Sequence, residues 1–430
     1  MSAGDGQSSA MTRDLSPSQR AFIASSVRSA VDLAFAHWEG VPAGLDLDKH
    51  FRELLDRTIG RGDRGRFSLE MAAFLATLRN GHTAFWDLEI WKPLTGSLGF
   101  QAQPLGSEWI ITKAWRTGLH AGQVLELVDG RTPEDLYAKL RRYVPASSES
   151  ASRRHFFALG HLFPRRLSVQ VDGRKQTYTR APGKGNPVPE RTAGRWLQRG
   201  SVGYIRIPSF GDPVHERRAL VLVQRFRSGK ALVLDVRGNS GGSTPQRLRG
   251  ALMERPWRGM AVSTPQRTGM ARAYAHLLEM LEKGEGKGLH LTPESLAPFE
   301  YFRDLDHSHL LFPGEPHPPE RGAYRGRLVV LVDGGCGSAC EDLLVPLKET
   351  GRATLVGTTT DGSTGQPLIL DFKEGLRAVV GTKRCYFPDG RPFEGVGIAP
   401  DRQVVPTRDD LLAGRDPALE LARELANPRG

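Results

Sequence analysis

Residues 331–341 read Leu331-Val332-Asp333-Gly334-Gly335-Cys336-Gly337-Ser338-Ala339-Cys340-Glu341. The run from Leu328 to Val332 has the unbroken hydrophobicity of a strand buried on both faces. It ends in glycines, and a serine stands where an apolar-periodic helix, Ala339 to Lys348, begins. Such a turn lifts a hydroxyl clear of the backbone. It also leaves N–H groups at a helix N-terminus, where a developing oxyanion can be held. The same serine also suits a plain N-cap, and this segment alone leaves cap and nucleophile both open.

A second strand of the same buried kind, Ala231 to Val236, runs into Asp235-Val236-Arg237-Gly238-Asn239-Ser240-Gly241-Gly242. A glycine pair admits close backbone approach, so an N–H of Gly241 or Gly242 is a candidate second oxyanion donor beside that of Ala339. Taken alone, a glycine-rich turn is the simpler account. A phosphate loop is excluded, because neither GxxxxGK[ST] nor a spaced GxGxxG is present. A serine nucleophile needs a base, and histidine is the usual one near neutral pH. Of 12 histidines, His82 stands out in Asn80-Gly81-His82-Thr83, just past a tight turn at the end of a helix. Glu394 lies in Arg391-Pro392-Phe393-Glu394-Gly395-Val396-Gly397, where an ordinary surface carboxylate would be equally at home.

Outward from these segments the chain divides. From Ser16 to Arg79 apolar residues recur at three and four, as at Ile23, Val27 and Val31, and Ser16-Pro17 suits a helix start. Residues 15–87 thus read as an N-terminal helical domain, with 1–14 disordered. Residues 88–182 carry short apolar runs with turns at Asp129-Gly130 and Asp172-Gly173, the pattern of a small β domain. Residues 183–199, with Gly183, Gly185, Pro187 and Pro189, read as a linker. An α/β core occupies 195–425, interrupted by an insertion at 251–320 that reads as a lid, a substrate-selecting wall or a homo-oligomer contact.

Composition narrows the classes. The 430 residues are 39% hydrophobic and 25% charged, enough to bury sizeable cores. No apolar stretch has the length of a membrane span, and the first twenty residues lack an apolar leader core, so a cytoplasmic chain is expected. Three cysteines, with no CxxC pair and no histidine at ligand spacing, point to reduced thiols, with no metal site and no cofactor. The formal charge of +11 suggests nucleic acid, but the 12 lysines and 47 arginines are spread in runs no longer than a pair. With no basic block or aromatic-interleaved stripe, that reading loses its footing.

The segments taken together, in this order, resemble the carboxy-terminal-processing (tail-specific) serine peptidases, a group that includes the tricorn core and the retinoid-binding modules of the interphotoreceptor space. The matching pieces are Asn80-Gly81-His82-Thr83, Gly203 to Phe210, the Asp235 to Gly242 turn, Ser338-Ala339-Cys340-Glu341 and Glu394-Gly395-Val396-Gly397-Ile398. The resemblance implies an α/β multidomain fold with a helical domain, a PDZ-like β domain and a ClpP/crotonase-like β-spiral core. It also implies peptide or protein substrates. Ser97-Leu98-Gly99-Phe100 is similar to a PDZ carboxylate loop, which makes Leu98, Gly99 and Phe100 the expected peptide contacts.

The family has a Ser–Lys branch and a Ser/His/Glu branch. In the turn where the first carries lysine, this chain has Asp361-Gly362-Ser363-Thr364-Gly365-Gln366. The resemblance therefore favours the tricorn-like design: Ser338 as nucleophile, His82 as base and Glu394 as orienting acid, with Thr83 or Ser363 as bridging hydroxyl. The rival expectation is a catalytically idle ligand- or peptide-binding protein on the same scaffold.

Overall fold

The structure, a computed structural model, describes residues 14–427 apart from 61, 92–96, 181–187, 267–268, 285–295, 298–299 and 302–308. The expected disorder of 1–13, residues 92–96 of the expected PDZ-like domain, linker residues 183–187 and part of the insertion lie outside the described residues.

The two continuous apolar runs form neighbouring central strands. A six-stranded sheet runs in the order Arg402–Gln403, Ala353–Gly357, Arg327–Val332, Ala231–Asp235, Val202–Arg206, Ala193–Gln198. All its pairings are parallel except the last. Residues Ala231–Asp235 are buried throughout, as a parallel strand covered on both faces must be. One face packs on Ala219, Val223, Leu248, Leu343, Leu344 and Leu347 from the helices Pro213–Arg225, Gln246–Leu252 and Ala339–Glu349. The other face packs on Ala418, Ala422 and Ala426 of the helix Pro417–Ala426. Leu331 pairs with Asp235 in register, so the two glycine-rich turns that follow these strands leave the same sheet edge side by side.

The linker reading of 183–199 needs correction. Ala193–Gln198 is the edge strand of this sheet, antiparallel to Val202–Arg206, and its Trp196 ring packs edge-on against Phe226 at 4.8 Å. Glycine disguised it. Gly194 and Gly203 are flush against Phe226, and a Cβ at Gly203 would lie 2.6 Å from that ring, so the strand lacks the alternation that marks one in sequence.

Three helices, Pro17–Ala34, Leu47–Thr58 and Arg64–Ala76, bury Ile23, Val27, Val31, Leu54, Phe67, Met71 and Leu75 in a second core. Ser16 starts the first with a capping box to Gln19, and Asp46 caps the second. Asp63 caps the third. This core also takes in Leu376, Ala378 and Val380, because the strand Ala84–Asp87 pairs antiparallel with Leu376–Val379. The helical block and the C-terminal half of the chain thus share one core, and this brings the Asn80 to Thr83 turn to the C-terminal half. Residues 98–178 form a third core, with β-sheets and the helices Pro133–Leu140 and Glu149–Phe156. Of the insertion, Ala261–Pro265 pairs with both His309–Phe312 and Arg384–Tyr386.

Candidate active site

Ser338 sits at the junction of strand and helix with φ +52° and ψ −126°, a conformation that an L-residue adopts only under constraint. Such a conformation costs about 1–3 kcal/mol and persists where its surroundings over-determine it. The surroundings here are fixed. Asp333 Oδ1 accepts the N–H of Gly238 at 2.7 Å and of Gly335 at 2.9 Å, tying the two turns together. Ser338 N–H donates to Ser363 O at 2.8 Å and to Glu341 Oε2 at 3.2 Å. The Ser338 hydroxyl makes no cap to its own helix. It lies instead 3.2 Å from His82 Nε2.

The histidine is held from behind. Its N–H donates to Asn80 Oδ1 at 3.1 Å, and its Nδ1 lies 3.0 Å from Ser363 Oγ. Ser363 Oγ in turn donates to Glu394 Oε1 at 2.9 Å. Ser338, His82, Ser363 and Glu394 therefore form one continuous line of hydrogen-bonding groups drawn from four distant stretches of chain. With Glu394 ionised, the hydrogens have a consistent assignment. Ser363 gives its single proton to the carboxylate and accepts from His82 Nδ1–H, which leaves Nε2 bare to accept from Ser338. Of the two expected bridging hydroxyls, Ser363 lies between His82 and Glu394. Thr83 does not: it donates to Asn80 Oδ1 at 2.9 Å and accepts from Gly381 N–H at 3.0 Å.

Glu394 is not a surface carboxylate. It is 8% exposed, and Oε1 accepts from Asn80 Nδ2 at 2.9 Å and from Ser147 Oγ at 2.6 Å as well as from Ser363. Thr364 N–H reaches Oε2 at 3.4 Å. Burial pushes its pKa up to about 7, and the hydrogen bonds from Ser147 and Ser363 pull the other way. Burial pushes the His82 imidazole below its ordinary value, against the attraction of Asp361. Asp361, although buried, is held below the ordinary carboxylate range by His155 and Arg154, which pair with it at 3.3 and 2.9 Å. His37 is also buried against the site, its Nδ1 3.9 Å from Glu394 Oε1, and burial lowers its pKa to about 3.

The glycine pair is required by closeness. Gly241 and Gly242 have φ of +100° and +131°. A Cβ at Gly241 would meet Ser338 Cβ at 2.7 Å and Ala339 N at 2.9 Å, and one at Gly242 would lie 2.3 Å from the Phe210 carbonyl. The N–H of Gly241 is already donated to Asn239 Oδ1 at 3.0 Å. Of the three expected oxyanion donors, Gly242 and Ala339 carry N–H groups given no acceptor among the described residues.

The loop expected to bind peptide, Leu98 to Phe100, is closed by its own packing and hydrogen bonds. Leu98 and Phe100 are buried in the β-domain core. Gly99 N–H is donated to Ser97 Oγ, and Leu98 O accepts from Tyr178 Oη. None of these bonds reaches the line from Ser338 to Glu394. Cys336, Cys340 and Cys385 are buried free thiols. Among the described residues no group of three or more His, Cys, Asp or Glu is placed to hold a metal ion, and no helix is long and apolar enough to cross a membrane.

Sequence reasoning missed two side chains in the site. Asn80 lies in the quoted turn, but nothing there announces that its amide reaches residue 394. Ser147 precedes Ser148, which caps the helix Glu149–Phe156, and nothing in the sequence distinguishes the two serines.

Residues 201–404 match the model of Peptidase family S41. The carboxy-terminal-processing protease of Bartonella bacilliformis is 32% identical over 92 residues, 21% of this chain and 21% of that protein. The chloroplastic carboxyl-terminal-processing peptidase 2 of Arabidopsis thaliana is 25% identical over 296 residues, 67% of this chain and 47% of that protein. The chain thus matches from a fifth to about half of the length of these relatives. Among solved structures, mature CPAF superposes with a TM-score of 0.65 at 18% identity, over 95% of this chain and 96% of that one. The photosystem II D1 C-terminal processing protease superposes with a TM-score of 0.53 at 18% identity, over 95% of this chain and 98% of that one. Both are likenesses of fold. Residues 201–404, just under half of the chain, thus carry the sequence pattern of peptidase family S41.

Proposed function

We propose that this protein is a serine peptidase of the carboxy-terminal-processing kind, acting on peptide or protein substrates through an acyl-enzyme on Ser338. The observation that carries the reading is the unbroken line from Ser338 Oγ through His82 and Ser363 to Glu394. In this mechanism Ser338 Oγ adds to the scissile carbonyl while His82 Nε2 takes its proton. His82 hands that proton to the departing amine as the C–N bond breaks, and water repeats the sequence to release the acyl group. Glu394, through the Ser363 hydroxyl, orients the imidazole and stabilises it once charged. The N–H groups of Ala339 and Gly242 face the developing oxyanion, each such donor being worth roughly 3–4 kcal/mol of barrier.

Ser363 at the turn where the Ser–Lys relatives carry lysine supports the Ser/His/Glu design over the dyad. The domain of residues 97–180 is read as PDZ-like and the sheet of residues 193–403 as the β-spiral core of the family. A serine-reactive phosphonate tests the assignment. We expect covalent labelling at Ser338 and peptide hydrolysis that falls by about 10⁴-fold or more in Ser338→Ala. A folded protein that neither labels nor hydrolyses would instead support the idle binding reading.

A further inference from the structure

Ser147 is a hydroxyl that comes to the site from the β domain, and it touches two members of the relay, Glu394 and Ser363. It donates to Glu394 Oε1 at 2.6 Å, accepts from Gly81 N–H at 2.9 Å, and lies 3.2 Å from Ser363 Oγ. The contact is not incidental to helix capping, since Ser148 alone caps the helix that follows. The backbones around it are pinned at van der Waals distance. A Cβ at Gly395 would lie 2.8 Å from Ser147 O, and one at Gly81 would lie 2.9 Å from Ser363 Oγ and 3.6 Å from Ser147 Oγ. Two glycines thus let the turns before His82 and after Glu394 close on the Ser147 segment.

The hydrogens explain what this placement does. A serine hydroxyl has one proton to give. Ser147 spends its proton on Glu394 and one lone pair on Gly81 N–H. Ser363 has three neighbours within reach: Glu394, Ser147 and His82 Nδ1. A donor held on the carboxylate favours its ionised form, and the ionised carboxylate draws the Ser363 proton. Only then does Ser363 present a lone pair to His82 Nδ1–H and leave Nε2 free for Ser338. If Ser363 instead donated to His82 Nδ1, the opposite tautomer would face the nucleophile.

We infer that Ser147 is a positioning residue of the relay, setting the direction of the Ser363 hydroxyl and through it the tautomer of His82. The inference rests on the peptidase reading for its kinetic consequence but not for its structural one. Besides Ser147 and Ser363, the groups facing Glu394 are Asn80, the Thr364 N–H, the His37 ring and, at longer range, Arg384.

Two measurements test it. The first is kcat/KM against pH for wild type, Ser147→Ala and Ser147→Thr. Ser147→Ala is expected to lower the plateau about tenfold and to move the acid limb upward by up to about one pH unit, because Glu394 loses a donor. Ser147→Thr, which keeps the hydroxyl, is expected to restore both. The second needs no turnover: the 15N shifts of the His82 ring in Ser338→Ala and in Ser338→Ala/Ser147→Ala. The first protein should carry its proton on Nδ1, and the second should show a mixture of tautomers. An unchanged tautomer, or a Ser147→Ala profile superimposable on wild type, overturns the inference. If the wild-type protein hydrolyses no peptide, the peptidase reading falls and the ring shifts still decide the role of Ser147. If threonine is too large for the contact with Gly395, the same shifts decide it.

Discussion

Glu341 and Glu394 are both buried carboxylates, and both bind Ser363, but by different atoms. Glu341 takes backbone: the N–H groups of Ser338, Gly362 and Ser363 at 3.2, 2.8 and 3.1 Å, with the Thr360 hydroxyl. Glu394 takes side chains: Asn80, Ser147 and the Ser363 hydroxyl. The first carboxylate fixes where two loops run, and so fixes the distance from the nucleophile's elbow to the relay turn. The second leaves the backbone almost untouched and governs where protons sit. Burial pushes both carboxyls up, so electrostatics does not separate them; the nature of their donors does. On the proposed mechanism, the carboxylate held by main-chain N–H groups belongs to the architecture, and the one held by hydroxyls and an amide belongs to the chemistry.

The largest expected effects come from giving both the same substitution. Glu341→Gln presents an amide NH2 to main-chain donors that cannot turn away. Each unmet buried donor costs roughly 1–3 kcal/mol, so unfolding in urea should show a loss of about 2–4 kcal/mol, with activity falling as the elbow loosens. Glu394→Gln should lose about 10³-fold in kcat/KM while unfolding at the same or a higher urea concentration at neutral pH. Equal destabilisation by the two variants would break the division.

Much of this site was legible before any coordinates. Leu328–Val332 and Ala231–Val236 declare themselves as buried parallel strands because both faces must be apolar, and the glycines after them mark where the backbone passes close to another segment. Ser338 was a candidate from the first of those turns and His82 from the Asn80-Gly81 turn, but their roles, like that of Glu394, came only with the family resemblance. The sequence stayed silent where a role is created by packing alone. Ser147 reaches Glu394 from 247 residues away, and no spacing rule links them. Ala193–Gln198 looked like a linker because its glycine abuts Phe226 where alternation would have placed a side chain. Thr83 and Ser363 were equal candidates because a hydroxyl's reach is set by a fold, not by its neighbours in sequence.

Those two hydroxyls give the next test. Ser363→Ala removes the bridge between imidazole and carboxylate but leaves the backbone N–H that Glu341 holds. It should cost about 10²-fold in kcat/KM with little change in urea midpoint. Thr83→Val breaks a buried contact with Asn80 and Gly381, so it should cost about 1–2 kcal/mol of stability and less activity than Ser363→Ala. The reverse ranking would move the bridge to Thr83 and place Glu394 on the architectural side of the comparison.

The smallest effect is also the sharpest in sign. On the proposed mechanism, hydrolysis needs Glu394 ionised and His82 neutral. Glu394 titrates near 7, whereas burial holds His82 below its ordinary value. Falling pH therefore protonates Glu394 first, and kcat/KM should drop about tenfold per pH unit below 7, a limb that Glu394→Gln removes. Stability should run the other way at this residue. Its folded pKa lies above the unfolded 4.5, so its contribution is fully present below that value and is lost as pH rises through about 7, amounting to on the order of 3 kcal/mol. His37, lowered from 6.5 to about 3, contributes with the opposite slope, losing stability as pH falls between those values. Both proteins keep His37, so the difference in unfolding free energy between Glu394→Gln and wild type isolates the glutamate. That difference should grow in favour of the glutamine variant from pH 4.5 to pH 8. A difference that stays flat while the activity limb persists would mean that the limb belongs to His82 and that Glu394 is ionised throughout.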